Sequence, residues 1–430
     1  VSTGVLVAVG AVRFESDVLT AAAQSGLHVV RRCVDVADLM ATAATRQAGV
    51  ALVSTSLGGI DTEVVARLRD EHIEVVGVAS SEPSPDATVL HGLGVDVVVG
   101  VAELAGLAKA VTEALESGRP VVKADPGAER HGSPGEDGAT RGIESTRTGR
   151  VVAVWGPTGA PGRSIVSLGL AAGLGQTGLS TMVVDADVYG GSQAQLLGLL
   201  DESSGLLAAA RSANKGSLDA EGLASHARAV SASTRILTGL PRSDRWVELS
   251  PVLLRRVVEA ARSLSQVTVV DCAFCLELDE EISYDIAAPR RNGATLTALG
   301  LADLVVVVGA ADPVGLGRLL RALADLAVHV PSSRTRVVVN RMRPSLGWSS
   351  DDVAAIVRRT SQLEVAAFLP DDPAACDKAV VHGRTLTECA AGSKLAKALG
   401  RLAGSLAEEL GHPRGEPEVP LRRRRAARAR

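Results

Sequence analysis

The sequence predicts an α/β protein built from two doubly wound sheets. Three observations carry that expectation. Short Val-rich runs alternate with Ala/Leu-rich stretches of helical spacing along almost the whole chain. A Gly/Pro/Glu-rich stretch around 119–149 interrupts the alternation. Aromatic residues make up only 2% of a chain that is 46% hydrophobic, so Val, Ala and Leu must build the core, the usual composition of buried parallel strands with covering helices. At 430 residues the chain exceeds one ordinary core, and two domains are the natural division.

In the first domain, expected over 1–118, strand-like runs fall at Val5–Val9, His28–Val30, Val50–Val53, Val75–Val78 and Val95–Val99. Helical spacing falls at Phe14–Gln24, Val36–Gln47, Thr62–Asp70 and Ala102–Leu115. The order resembles a response-regulator receiver, a flavodoxin-like sheet. The chemistry of such a domain is missing. The first strand ends Ala8-Val9-Gly10, the third runs into Ser54-Thr55-Ser56, and Gly100 stands where a lysine is expected after the fifth. Without carboxylates there is no Mg²⁺ site and no acyl-phosphate. The expectation is a pseudo-receiver used for docking or dimerisation.

A flexible linker is expected over 119–149, since its Gly, Pro and Glu cannot bury enough apolar surface to offset ordering entropy. The alternation resumes over 150–411 with strands at Val151–Trp155, Ser180–Val184, Arg235–Thr238, Val267–Val270, Leu304–Val308, Arg336–Val339 and Val365–Phe368. Helices are signalled at Ser164–Gly175, Pro251–Leu264, Gly315–Leu326 and Ser393–Leu410. Residues 412–430 read as a disordered tail.

Charge and cysteine usage narrow the function. Six arginines lie in Arg422–Arg430, and subtracting their charges from the net −4 leaves 1–421 at −10. An acidic body argues against extended nucleic-acid binding by the folded part and leaves the basic tail as a contact for anionic lipid or DNA. No apolar run approaches the ~20 residues that span a bilayer, and the first residues read as a strand, so the expected compartment is the cytosol. Cys272 and Cys275 form a single CxxC among five cysteines, which strand-end packing explains without metal or redox chemistry.

The chemistry concentrates after the strand Val151–Trp155. Gly156-Pro-Thr158-Gly159-Ala160-Pro-Gly162-Arg163-Ser164 leads into a helix. Successive backbone N–H groups and a helix N-terminus make a cradle for phosphate, the logic of a P-loop. Ser164 would place its hydroxyl on Mg²⁺, and Arg163 stands where a P-loop lysine would meet the β/γ-phosphates. Asp185 and Asp187 end the next strand and Asp271 ends a later one, where carboxyl edges of a parallel sheet converge on a ligand. Asp271 is placed like the aspartate that holds Mg²⁺ directly or through water.

In order, these motifs, the Arg336–Val339 strand leading into Asn340-Arg341, and Phe368-Leu-Pro370-Asp-Asp resemble the MinD/ParA group of deviant P-loop ATPases over about 150–411. With the receiver-like first domain, the architecture is similar to the CpaE/TadZ branch, and to septum-site proteins of the same build. That resemblance implies ATP and Mg²⁺ as cofactors, with Gly156, Thr158, Gly159, Ala160, Gly162, Arg163 and Ser164 around the phosphates. It implies Asn340 and Pro370 at the base, Asp187 orienting attacking water with Arg163 as the catalytic cation, and Ser164, Asp271 and Asp185 at the metal.

The departures are equally specific: Thr158 replaces a signature lysine, Ala160 a glycine and Arg163 the loop lysine. An ATP-binding positioning protein with slow or absent hydrolysis is therefore expected. It would form an ATP-dependent homodimer, serve a secretion, pilus or division machine, and be recruited to a membrane, pole or septum. An active ATPase cycling on DNA or membrane, and a docking regulator that binds no nucleotide, are the alternatives.

Overall fold

The structure is a computed structural model that describes residues 3–10, 14–117, 149–199, 203–277 and 290–412. The expected linker, apart from Gly149, and the Arg-rich tail beyond His412 lie outside the described residues.

The first sheet contains β1 (Gly4–Ala8), β2 (His28–Arg32), β3 (Val50–Val53), β4 (Glu74–Ala79) and β5 (Val97–Gly100), all parallel, in the order β2-β1-β3-β4-β5. β3 is buried along its whole length, as an unbroken apolar run demands. The helix expected over Ala102–Leu115 instead begins at Leu107, after a 3₁₀ segment Val101–Gly106 in which Glu103 leaves helical geometry. At the carboxyl edge of this sheet the Ser54 hydroxyl donates to the Val9 carbonyl at 2.8 Å. Helix Thr62–Asp70 meets helix Gly205–Asn214 of the second sheet, where Thr62 donates to the Ala213 carbonyl at 2.9 Å and Asn214 to Asp61 at 3.2 Å.

The second sheet contains β6 (Arg150–Trp155), β7 (Thr181–Ala186), β8 (Arg228–Ala229), β9 (Thr234–Leu237), β10 (Val267–Cys272), β11 (Leu304–Ala310), β12 (Thr335–Met342) and β13 (Val365–Pro370). Its order is β13-β12-β11-β6-β10-β7-β9-β8. Every pair is parallel except β8 with β9. β8 escapes a sequence reading because two exposed residues carry no pattern. Helix Pro313–Leu326 starts two residues before its expected position, since Asp312 caps it by accepting from the Gly315 N–H and Pro313 suits the first turn. Two apolar layers, one on each face of this sheet, form its core.

Chain order places the functional edge. β6 lies between β10 and β11, so the chain leaves it toward β7 on one side and returns past it to β11 on the other. Such a reversal opens a crevice at the carboxyl ends of the strands. The register then pairs Asp271 of β10 directly with Asp185 of β7.

Candidate functional site

The loop after β6 ends at Gly162, whose left-handed φ of +97° caps the fourteen-residue helix Arg163–Gln176. A side chain is excluded there for a second reason: a Cβ would fall 2.5 Å from Nδ2 of Asn340. Asn340 braces the loop, donating from Nδ2 to the Pro161 carbonyl at 2.8 Å while its Oδ1 accepts from the Arg341 N–H. The helix has no side-chain cap and no acidic residue in its first turn, so its leading N–H groups and positive dipole end face the loop without competition. Those are the donors an anion would use.

Ala160 also adopts a left-handed conformation, with φ +52°. Cβ makes that region costly, by about 1–2 kcal/mol. Ala160→Gly is therefore expected to stabilise the ligand-free protein by ~0.5–1 kcal/mol, the relief being offset in part by a freer unfolded chain. A thermal melt checks this; a lower midpoint would contradict it.

Arg163 turns its guanidinium back into the loop. Nη1 donates to the Gly156 carbonyl at 2.8 Å, and Nη2 pairs with Asp187 at 3.1 Å with both side chains almost fully buried. The ring of Phe274 lies 6.0 Å away, and Tyr189 packs against Phe274 at 5.0 Å. Asp187 meanwhile accepts the backbone N–H groups of Tyr189 and Gly190. The motif cation and the second strand-end aspartate thus neutralise each other.

Deeper in the crevice, Asp271 accepts from the Ser167 hydroxyl at 3.0 Å and from Nε2 of Gln193 at 2.8 Å, with Ser164 beside it. Gln193 also donates to the Ser164 carbonyl at 3.0 Å, while its Oε1 is buried with no partner among the described residues. Asp185 accepts the Gln193 backbone N–H at 3.0 Å and lies against Gly191 and Gly239. Burial, then the neighbouring Asp271, hold the Asp185 carboxyl well above the usual range. Burial raises Asp271 too, against the lowering effect of Gln193, Ser164 and Arg163. Burial and Asp271 push the Cys272 thiol up, so it is an inert strand-end packing group.

Among the described residues no three His, Cys, Asp or Glu side chains form a closed metal cage. An open site fits a cation that keeps waters and substrate phosphates, as Mg²⁺ does. The residues present suit such a group: acids pushed upward by burial, a Ser hydroxyl against one of them, and the orphaned Gln193 oxygen.

The sequence-selected residues divide into two neighbouring groups. Arg163, Ser164, Asp185, Asp187 and Asp271 form one connected network. Asn340 and Pro370 line a second cavity, of about 610 Å³, together with Gly162 and Arg341. Thr158 lies apart, exposed on the outer rim of the loop, facing a cavity with Phe274 and Arg318. Gln193 was not legible, because its partners stand 29 and 78 positions away and a lone glutamine carries no spacing signal.

A parallel-dominated sheet, a glycine-rich loop after its central strand and strand-end aspartates beside it match a P-loop NTPase fold of the MinD/ParA type. The ParA family ATPase from Chlorobium tepidum matches 60% of this chain and 98% of its own, with a TM-score of 0.51 and 18% identity. The cell division ATPase MinD of Pyrococcus furiosus covers 61% of this chain and 99% of its own, at a TM-score of 0.49 and 18% identity. The septum site-determining protein MinD of Pyrococcus horikoshii, solved with Mg-ADP, covers 61% and 97%, at 0.48 and 17%. At such identities the likeness establishes the fold alone, and the Chlorobium structure carries that argument. No protein-family model matches this sequence. No curated protein matches it either.

Proposed function

We propose that this chain binds a Mg²⁺–nucleoside triphosphate, ATP by the resemblance, and works as a nucleotide-held scaffold. In this reading residues 150–411 form the nucleotide-binding domain. Residues 1–118 form a pseudo-receiver that docks partners, and the pair serves pilus, secretion or septum localisation in the manner of the CpaE/TadZ branch. The N–H groups at Gly162–Ser164 would receive the phosphates, Ser164 and Asp271 would hold Mg²⁺ with Asp185 behind them, and Asn340 and Pro370 would flank the base. Mg²⁺ held there would offset the phosphate charge. No helix among the described residues is long and apolar enough to cross a membrane. In this reading the Arg-rich tail or a partner recruits the chain to an anionic membrane.

The observation that carries slow hydrolysis is the Arg163–Asp187 pair. An aspartate tied to a guanidinium and to two N–H groups is poorly placed to hold an attacking water, and an arginine bound to the Gly156 carbonyl is held away from a developing phosphate charge. Nucleotide then acts as a ligand that stabilises one assembly. Sedimentation of the full chain should show a monomer–dimer shift on adding MgATP, lost in Ser164→Ala. A sedimentation profile indifferent to MgATP would remove the self-association part of this reading.

A further inference from the structure

We propose that Arg318, on helix Pro313–Leu326, supplies a second cation to the terminal phosphate of the bound nucleotide. This rests on the nucleotide-binding reading above and adds to it a residue no motif singles out. A Cβ placed on Gly159 would fall 2.1 Å from Nη1 of Arg318, so the guanidinium lies directly on the outer face of the loop. Gly159 stands there at φ +101°, a conformation that favours glycine, and the absence of a side chain is what admits the arginine.

The charge is available. Among the described residues Arg318 makes no hydrogen bond and no ion pair, although Glu277 and Asp325 line the same cavity of about 590 Å³. It is only half-exposed. Arg163, by contrast, already spends its charge on Asp187. A triphosphate with one Mg²⁺ keeps an excess of negative charge. Arg318 stands on the loop with donors to spare, and its planar fork suits phosphate oxygens. Because it stands at the outer rim, beside Thr158, it reaches the end of a polyphosphate that emerges from the cradle, where a diphosphate is shorter by one group.

The test is a calorimetric titration of the full chain, Arg318→Ala, Arg318→Lys and Arg321→Ala with MgATP and with MgADP. Arg321 lines the same cavity one turn further along and serves as the control. Arg318→Ala should weaken ATP by about tenfold or more, the scale of a charge-assisted contact, and ADP by less than about threefold. Arg318→Lys should recover part of the loss, and Arg321→Ala should leave both affinities unchanged. Equal losses for ATP and ADP, no loss, or tighter ATP binding (the mark of a plug rather than a ligand) would each overturn the proposal. If the unsubstituted chain binds neither nucleotide, the underlying reading falls as well. Binding by the unsubstituted chain with an unaltered Arg318→Ala removes only the role of Arg318.

Discussion

Asp271→Asn should cost nucleotide affinity roughly 10–100-fold in the presence of Mg²⁺ and almost nothing in its absence. The substitution keeps volume at the end of β10 and removes one charge. In the folded protein Asp271 is the point on which Ser164, Ser167 and Gln193 converge. An asparagine can still accept one of those bonds, so the loop keeps most of its shape. It offers no anionic oxygen to a divalent cation. The difference between titrations with Mg²⁺ and with chelator therefore reports the metal role separately from the architecture. Equal losses in both conditions would make Asp271 a structural brace and remove it from the metal site.

Arg163→Lys should raise MgATP turnover by about tenfold or more over the unsubstituted chain, measured as phosphate release with Asp187→Ala as the blank. The arginine holds the Gly156 carbonyl with one nitrogen and Asp187 with the other, which its rigid fork permits. A lysine is a single point charge on a flexible stem and cannot hold both at that geometry. Asp187 would be released to orient water, and positioned acid–base groups of that kind contribute on the order of 10²–10⁴ in rate. Unchanged turnover would mean that the ion pair is not what limits hydrolysis. A fall would mean that Arg163 already performs the catalytic role, which would favour the cycling ATPase.

The fold was readable because its signals are local. Val305–Val308 can only be a strand buried on both faces, and Pro251–Leu264 shows an apolar stripe at helical spacing. Element ends were less visible where a cap decides them, as at Asp312 and Pro313, or where a 3₁₀ turn intervenes, as at Val101–Gly106. The loop's place between a strand and a helix was legible for the same reason: its glycines, basic residue and serine are consecutive in the chain. Convergence of Asp185 and Asp271 followed from their positions at strand ends, and the register pairs them directly.

What the sequence concealed is long-range. Gln193 bridging Ser164 and Asp271, and Asn340 tied to Pro161 from 179 positions away, arise only when strands and helices are assembled. Arg318 on the face of Gly159 is of the same kind. The direction in which Arg163 points is another such case. A motif places a guanidinium at the phosphates, whereas the assembled site gives it Asp187 and the Gly156 carbonyl as partners. In the proposed reading, that difference is what slows hydrolysis.

The most direct test of the central claim is calorimetric titration of the full chain with ATP, in Mg²⁺ and again in excess chelator. One ATP per chain, bound in Mg²⁺ and markedly weaker in chelator, is the predicted result. No measurable binding at millimolar ATP in either condition would contradict the account and leave a P-loop fold used only for docking.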